Sequence, residues 1–209
     1  MKMARETTFP TLISSLLPLG KLNSALRFAL SVALGSIVIA ISSKIQVPFY
    51  PVPITMQTFV ILALSMAFGW RLATATLLLY LIEGALGLPV FAGTPAKGLG
   101  LPYMLGSTGG YLLGFVFAAA LCGWLAERGW DRNVLSTALA MLAGNCVIYI
   151  PGLLWLGVLF GFDKPILEWG LIPFMLGDLA KLALAAVVLP MIWKVINRRR
   201  NSKIYRSLN

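Results

Sequence analysis

One helix-forming stretch of the chain carries two opposite charges where none would be expected. Gly177-Asp178-Leu179-Ala180-Lys181 lies inside an apolar run of about 25 residues. A charged side chain deep in such a run costs about 2.5–3.5 kcal/mol on insertion scales, so it faces protein or water and needs a partner. Asp178 and Lys181 stand at i and i+3, which puts them on one helix face where each can neutralise the other. The pair either fixes helix register or holds a polar ligand. Further polar groups interrupt apolar stretches elsewhere. Asn145 and Tyr149 are one turn apart on a shared face, with Trp155 downstream. Gln57 sits between Thr55 and Thr58, where the threonines suit helix caps and the amide has no local duty. Gly106, Gly110 and Gly114 recur every four residues, the spacing for close helix approach, and bracket Thr108 and Tyr111. Glu83 is the remaining acid inside an apolar stretch.

This inventory suits binding better than catalysis. The chain has no histidine, which removes the commonest general base and metal ligand. It contains no GxxxxGK[ST] phosphate loop, no G-x-S-x-G nucleophile turn and no metal-ligand cluster. No catalytic residue, metal or cofactor is therefore expected. Its two cysteines, Cys122 and Cys146, read as small packing residues within helices.

The elements that must position these groups follow from composition. Of 209 residues, 59% are hydrophobic and 11% charged, against about 25% charged in ordinary soluble domains. That balance implies an integral membrane protein. A net charge of +10 could suggest nucleic acid, but the bases cluster just outside apolar stretches, as orientation signals and contacts for anionic lipid do. Hydrophobic runs predict an all-α bundle of six transmembrane helices: 24–43, 55–70, 72–88, 109–126, 134–154 and 171–196. The second is short for a span. Pro48, Pro51 and Pro53 make an ordered loop after the first helix, and Arg71 marks a hairpin between the second and third. Residues 89–108 are too rich in Gly and Pro to span, and Pro151 is expected to loosen the end of the fifth helix.

The whole chain, 1–209, thus reads as one membrane domain. Residues 1–23 form a cytoplasmic or interfacial segment, 24–196 the bundle, and 197–209 a basic cytoplasmic tail. The stretch from Phe9 to Leu19 is apolar like a signal peptide, but it contains Pro10 and Pro18 and lacks a clean cleavage site. With both termini in the cytoplasm, thirteen Lys and Arg fall on the inner side and only Lys44, Lys97 and Lys164 on the outer. The positive-inside rule favours that orientation in the cytoplasmic membrane. The Asp178–Lys181 pair then lies in the outer half of its helix.

Four segments, in order along nearly the whole chain, resemble the BioY family of biotin-specific substrate-binding components of energy-coupling factor transporters. They are Val52-Pro53-Ile54-Thr55-Met56-Gln57-Thr58, Gly84 to Gly93, Gly106-Ser107-Thr108-Gly109-Gly110-Tyr111-Leu112, and Pro173 to Lys181. Ser107 departs from the proline usual in that family. The resemblance implies a six-helix fold that captures biotin at its outer face. It also implies a transmembrane coupling component and ATPase subunits as partners, or self-association where such proteins work alone. Ala25, Ala29 and Ala33 form the small-residue row that would dock the partner, or simply pack helices. Biotin would place its ureido group against Asp178, with Lys181 donating to the ureido oxygen or to the carboxylate. Asn145, Tyr149, Gln57 and Thr108 would add polar contacts, and Phe91, Tyr111 and Trp155 apolar walls. The rival reading is a self-sufficient secondary transporter or channel for another small solute, which an internal repeat would favour; none is visible.

Overall fold

The structure, a computed structural model, describes residues 9–16 and 23–208, with side chains as far as Arg198. Lys2, Arg5 and Lys21, and part of the Phe9–Leu19 stretch, lie outside the described residues, as do the side chains of Arg199, Arg200, Lys203 and Arg206. The chain is mostly helical. A short α1, Leu12–Leu16, precedes α2, Ser24–Lys44, which opens where the Asn23 side chain accepts the Ala25 N–H at 3.1 Å.

After α2 the expected loop contains a feature that an all-α reading omits. Gln46–Val47 (β1) and Ile54–Thr55 (β2) pair antiparallel in the register Gln46 to Thr55 and Val47 to Ile54. The prolines between them exclude helix and hold the chain extended, so the two arms can meet. Next come α3, Gln57–Phe68, and α4, Trp70–Ala85. Their junction is Gly69, with φ at 82°, rather than Arg71. Arg71 already belongs to α4 and stacks over the Trp70 ring at 5.3 Å.

A five-residue α5, Gly100–Met104, lies within the Gly/Pro-rich connection before α6, Gly109–Ala126. Helix α7 was expected to end near Leu154, but it spans Val134–Phe160 straight through Pro151. One missing N–H does not end a helix where no water competes for its other backbone groups. After α8, Ile166–Gly170, comes α9, Ile172–Leu208, which extends the sixth expected helix beyond residue 196, through the basic segment 197–208 that the sequence predicts as a tail. Lys and Arg are good helix formers, and no Gly or Pro interrupts residues 191–208.

Among the described residues, four stretches are long and apolar enough to cross a membrane: Ser24–Lys44, Gly109–Ala126, Val134–Phe160 and Ile166–Arg198. Helices α3 and α4, with 12 and 16 residues, are shorter than the roughly 20 a bilayer core requires. The glycines explain how α6 and α7 meet. A Cβ on Gly110 would fall 2.2 Å from the Pro151 carbonyl oxygen, and one on Gly114 2.8 Å from Ile148 Cα. Gly106 lies before α6, in a turn, so the packing pattern belongs to Gly110 and Gly114 only. Ala25, Ala29 and Ala33 are all exposed, in a row that borders the buried stripe of Val32, Ser36 and Ile39 on α2.

The basic end of the bundle is closed by the turn after α6. The Trp193 indole donates to the buried Asp131 carboxylate, whose proton affinity burial pushes up. The Arg132 guanidinium lies over the rings of Trp193 and Phe9 at 4.3 and 4.5 Å, and the Trp70 N–H donates to Glu127 Oε1 at 3.2 Å. Because α6 approaches α7 backbone to backbone at Gly110, Gly110→Ala should lower the unfolding midpoint in detergent, at an overpacking cost of about 1–3 kcal/mol. Gly177→Ala in α9, where a Cβ meets nothing within 4 Å, should not lower it.

Candidate functional site

At the other end, the hairpin, the starts of α3, α6 and α9, the later half of α7 and the end of α4 surround a partly open cavity, whose empty space together with its open mouth is about 540 Å³. Its polar lining is sparse: Thr55, Gln57 and Thr58 around the start of α3, Thr108 before α6, Tyr149 on α7 and Lys181 on α9. Aromatic rings provide most of the rest.

Lys181 is the cavity's cation, and its three N–H groups are all in use. They donate to the Thr55 carbonyl at 2.8 Å, Thr58 Oγ1 at 3.0 Å and Asp178 Oδ1 at 2.9 Å. Asp178 is equally occupied. Oδ1 also accepts the Thr58 hydroxyl at 3.2 Å, and Oδ2 accepts the Tyr149 hydroxyl at 2.6 Å. The carboxylate is buried and does not reach the cavity surface; Lys181, Thr58 and Tyr149, which it orients, do. A fully hydrogen-bonded ion pair is the form in which a bilayer helix can keep two charges.

The aromatic wall is built in two halves. Phe91 stacks on Tyr103 at 4.9 Å and meets Tyr80 edge-on at 5.3 Å. Gly84 makes this possible, because a Cβ there would land 1.9 Å from the Phe91 ring. Across the cavity, Tyr149 contacts Tyr111 and Phe174 edge-on at 6.1 and 6.3 Å. The Tyr111 hydroxyl donates to the Gly170 carbonyl at 2.8 Å. Gln57 donates to the Tyr80 hydroxyl at 2.8 Å, which answers what its amide does.

Of the residues singled out in the sequence, Gln57, Thr108, Tyr111, Tyr149, Phe91 and Lys181 line the cavity. Asp178 stands one layer behind. Asn145 is buried beside Asp178 and Lys181 in a separate small space, and its Oδ1 has no hydrogen-bond partner. Trp155 is not a wall either: its indole N–H donates to the Gly106 carbonyl at 2.8 Å, fastening the turn before α6. Glu83 is away from the cavity and accepts the Ser36 hydroxyl, joining α4 to α2. Residues missed include Tyr80, Tyr103, Phe115 and Phe174; only the two tyrosines, polar groups amid apolar sequence, gave any signal. Among the described residues no three His, Cys, Asp or Glu gather as metal ligands.

The network makes a prediction that needs no ligand. Lys181→Ala leaves the buried Asp178 charge unpaired and should cost about 3–5 kcal/mol of stability, read by thermal unfolding in detergent. Adding Asp178→Asn to Lys181→Met, which removes both charges, should restore most of that loss.

The sequence model of the BioY family matches residues 15–198. A Pyrococcus horikoshii protein named "Probable biotin transporter BioY" is 38% identical over 77% of this chain and 90% of its own length. The Thermotoga maritima "Biotin transporter BioY" is 35% identical over 72% of this chain and 86% of its own. A crystal structure of the S-component for biotin from an ECF-type ABC transporter superposes with a TM-score of 0.68 at 25% identity. The superposition covers 82% of this chain and 93% of that one. With nearly the whole described bundle matched in sequence and in fold, the chain belongs to the BioY family.

Proposed function

We propose that this protein captures biotin in the cavity beside Lys181 and serves as the substrate-binding component of an energy-coupling factor transporter in the cytoplasmic membrane. The observation that carries the reading is the saturation of Lys181. A ligand oxygen can take one ammonium N–H only by displacing Thr55 or Thr58, and the displaced acceptor then needs a new donor. A ureido group meets both needs, since its carbonyl oxygen accepts while the adjacent N–H groups donate. A carboxylate brings acceptors alone and leaves a buried oxygen orphaned, which costs about 1–3 kcal/mol. The ureido ring is therefore assigned to Lys181, Thr58 and Tyr149, with Asp178 positioning all three. The thioether ring and the alkyl tail lie against Phe91, Tyr111 and Phe174.

Six helices, two of them short for a bilayer, cross the membrane with both termini inside. The support for this orientation is the segregation of thirteen bases from three, together with the grouping of Trp70, Glu127, Asp131 and Trp193 at the end away from the cavity. The cavity then opens outward. Equilibrium binding to purified protein tests the reading. Biotin should bind tightly and thiamine and riboflavin should not. Replacing the ureido oxygen, as in 2-iminobiotin, should weaken binding by about a hundredfold, or roughly 2.7 kcal/mol, while amidating the tail should cost far less. Equal affinity for all three vitamins would sink biotin specificity; a larger loss on amidation would reverse the ligand's orientation.

Uphill transport needs energy that this chain has no nucleotide loop to collect. Loosening a nanomolar site to millimolar takes about 8 kcal/mol. A partner bearing ATPases would supply it, docked partly on the exposed Ala25, Ala29 and Ala33 row. Ala29→Trp should leave biotin binding intact and reduce partner-dependent uptake into vesicles. Accumulation above the outside concentration by this chain alone in liposomes would favour a self-sufficient secondary transporter instead.

A further inference from the structure

Residues 90–92 belong to no helix or strand, yet Phe91 and Ala92 are 1% and 5% exposed and both line the cavity. Buried backbone without a ladder must find partners for its carbonyls among side chains. Here three different helices provide them. The Val90 carbonyl accepts the hydroxyls of Ser43 at 2.7 Å and Tyr80 at 3.2 Å. The Ala92 carbonyl accepts the Tyr103 hydroxyl at 2.7 Å. The Phe91 carbonyl accepts the Lys44 ammonium at 2.7 Å, together with the Thr94 hydroxyl at 2.7 Å.

Lys44, the last residue of α2, does more than hold Phe91. Its ammonium also donates to Thr94 Oγ1 at 2.8 Å and to the Thr94 carbonyl at 3.3 Å, so it grips residues 91 and 94 together. Hydrogen bonds from a charged donor are shorter and stronger than neutral ones. Lys44 is not itself among the residues that line the cavity. The Phe91 ring is meanwhile seated over Gly84 between Tyr80 and Tyr103.

We propose that Val90–Ala92 is a wall fixed before the ligand arrives, and that Lys44 is its positioning residue, acting on affinity through Phe91 without touching the ligand. A wall held in place in the free protein does not have to be ordered on binding, and the ordering cost it avoids appears as affinity. The part of this proposal that concerns affinity rests on the cavity being the biotin site; the part that concerns the wall does not.

Two measurements on the full chain test it. Hydrogen exchange of amides 88–98 in ligand-free protein should be slow, unchanged by Lys44→Arg, and faster by about tenfold or more in Lys44→Met. Biotin affinity should fall by about five- to twentyfold in Lys44→Met and be largely kept in Lys44→Arg. In a Phe91→Leu background, the same Lys44→Met change should cost less than about twofold, because the two residues act along one path. Unchanged exchange in Lys44→Met, or an affinity loss that persists in full with Phe91→Leu, would overturn the proposal. Failure of the parent protein to bind biotin would instead remove the capture reading, and the exchange arm would still decide whether Lys44 holds the wall.

Discussion

An ammonium and a carboxylate on one apolar helix can stay charged only if every hydrogen and every lone-pair direction facing protein is answered. Lys181 and Asp178 meet that condition with Thr55, Thr58 and Tyr149. The condition dictates where other elements go. The start of α3 must bring the Thr55 carbonyl and the Thr58 hydroxyl to α9, which the β1–β2 hairpin does by ending at Thr55. Helix α7 must present Tyr149 at the same level, and its close approach to α6 at Gly110 and Gly114 fixes that level. The cavity is the space left beside a pair that could not be left unattended.

The same condition shapes recognition. A site whose donors and acceptors are already matched accepts only a ligand that replaces what it displaces, donor for donor and acceptor for acceptor. Selectivity then comes from the penalty on orphaned groups rather than from the strength of any new bond. The aromatic rings contribute shape and apolar contact around this exchange.

Helix positions were legible in the sequence because hydrophobic runs of this length have few alternatives in a bilayer. The ends were less so. Gly69 rather than Arg71 makes the α3–α4 turn because backbone conformation decides a tight turn and charge does not. Pro151 suggests a loosened helix end because the sequence does not show that water is absent around it. At the site, the charged pair and the tyrosine and glutamine near it stood out by cost alone. Phe115 and Phe174 did not, since one buried phenylalanine among many carries no mark of the cavity it faces. Asp178 and Trp155 were visible as unusual residues, but which layer each occupies depends on helix rotation, and single-residue patterns do not fix that.

Gly84 has a consequence for how such a cavity can be resized. The residue is buried and does not line the cavity, but the Phe91 ring rests in the notch it leaves. Any side chain there fills the notch and pushes the Phe91 ring out of it, so that the ring must shift within the cavity wall it forms. The bore of the site is thus set from behind, by the absence of one methyl group. The width of the cavity can therefore change at this position without altering a single residue that lines it.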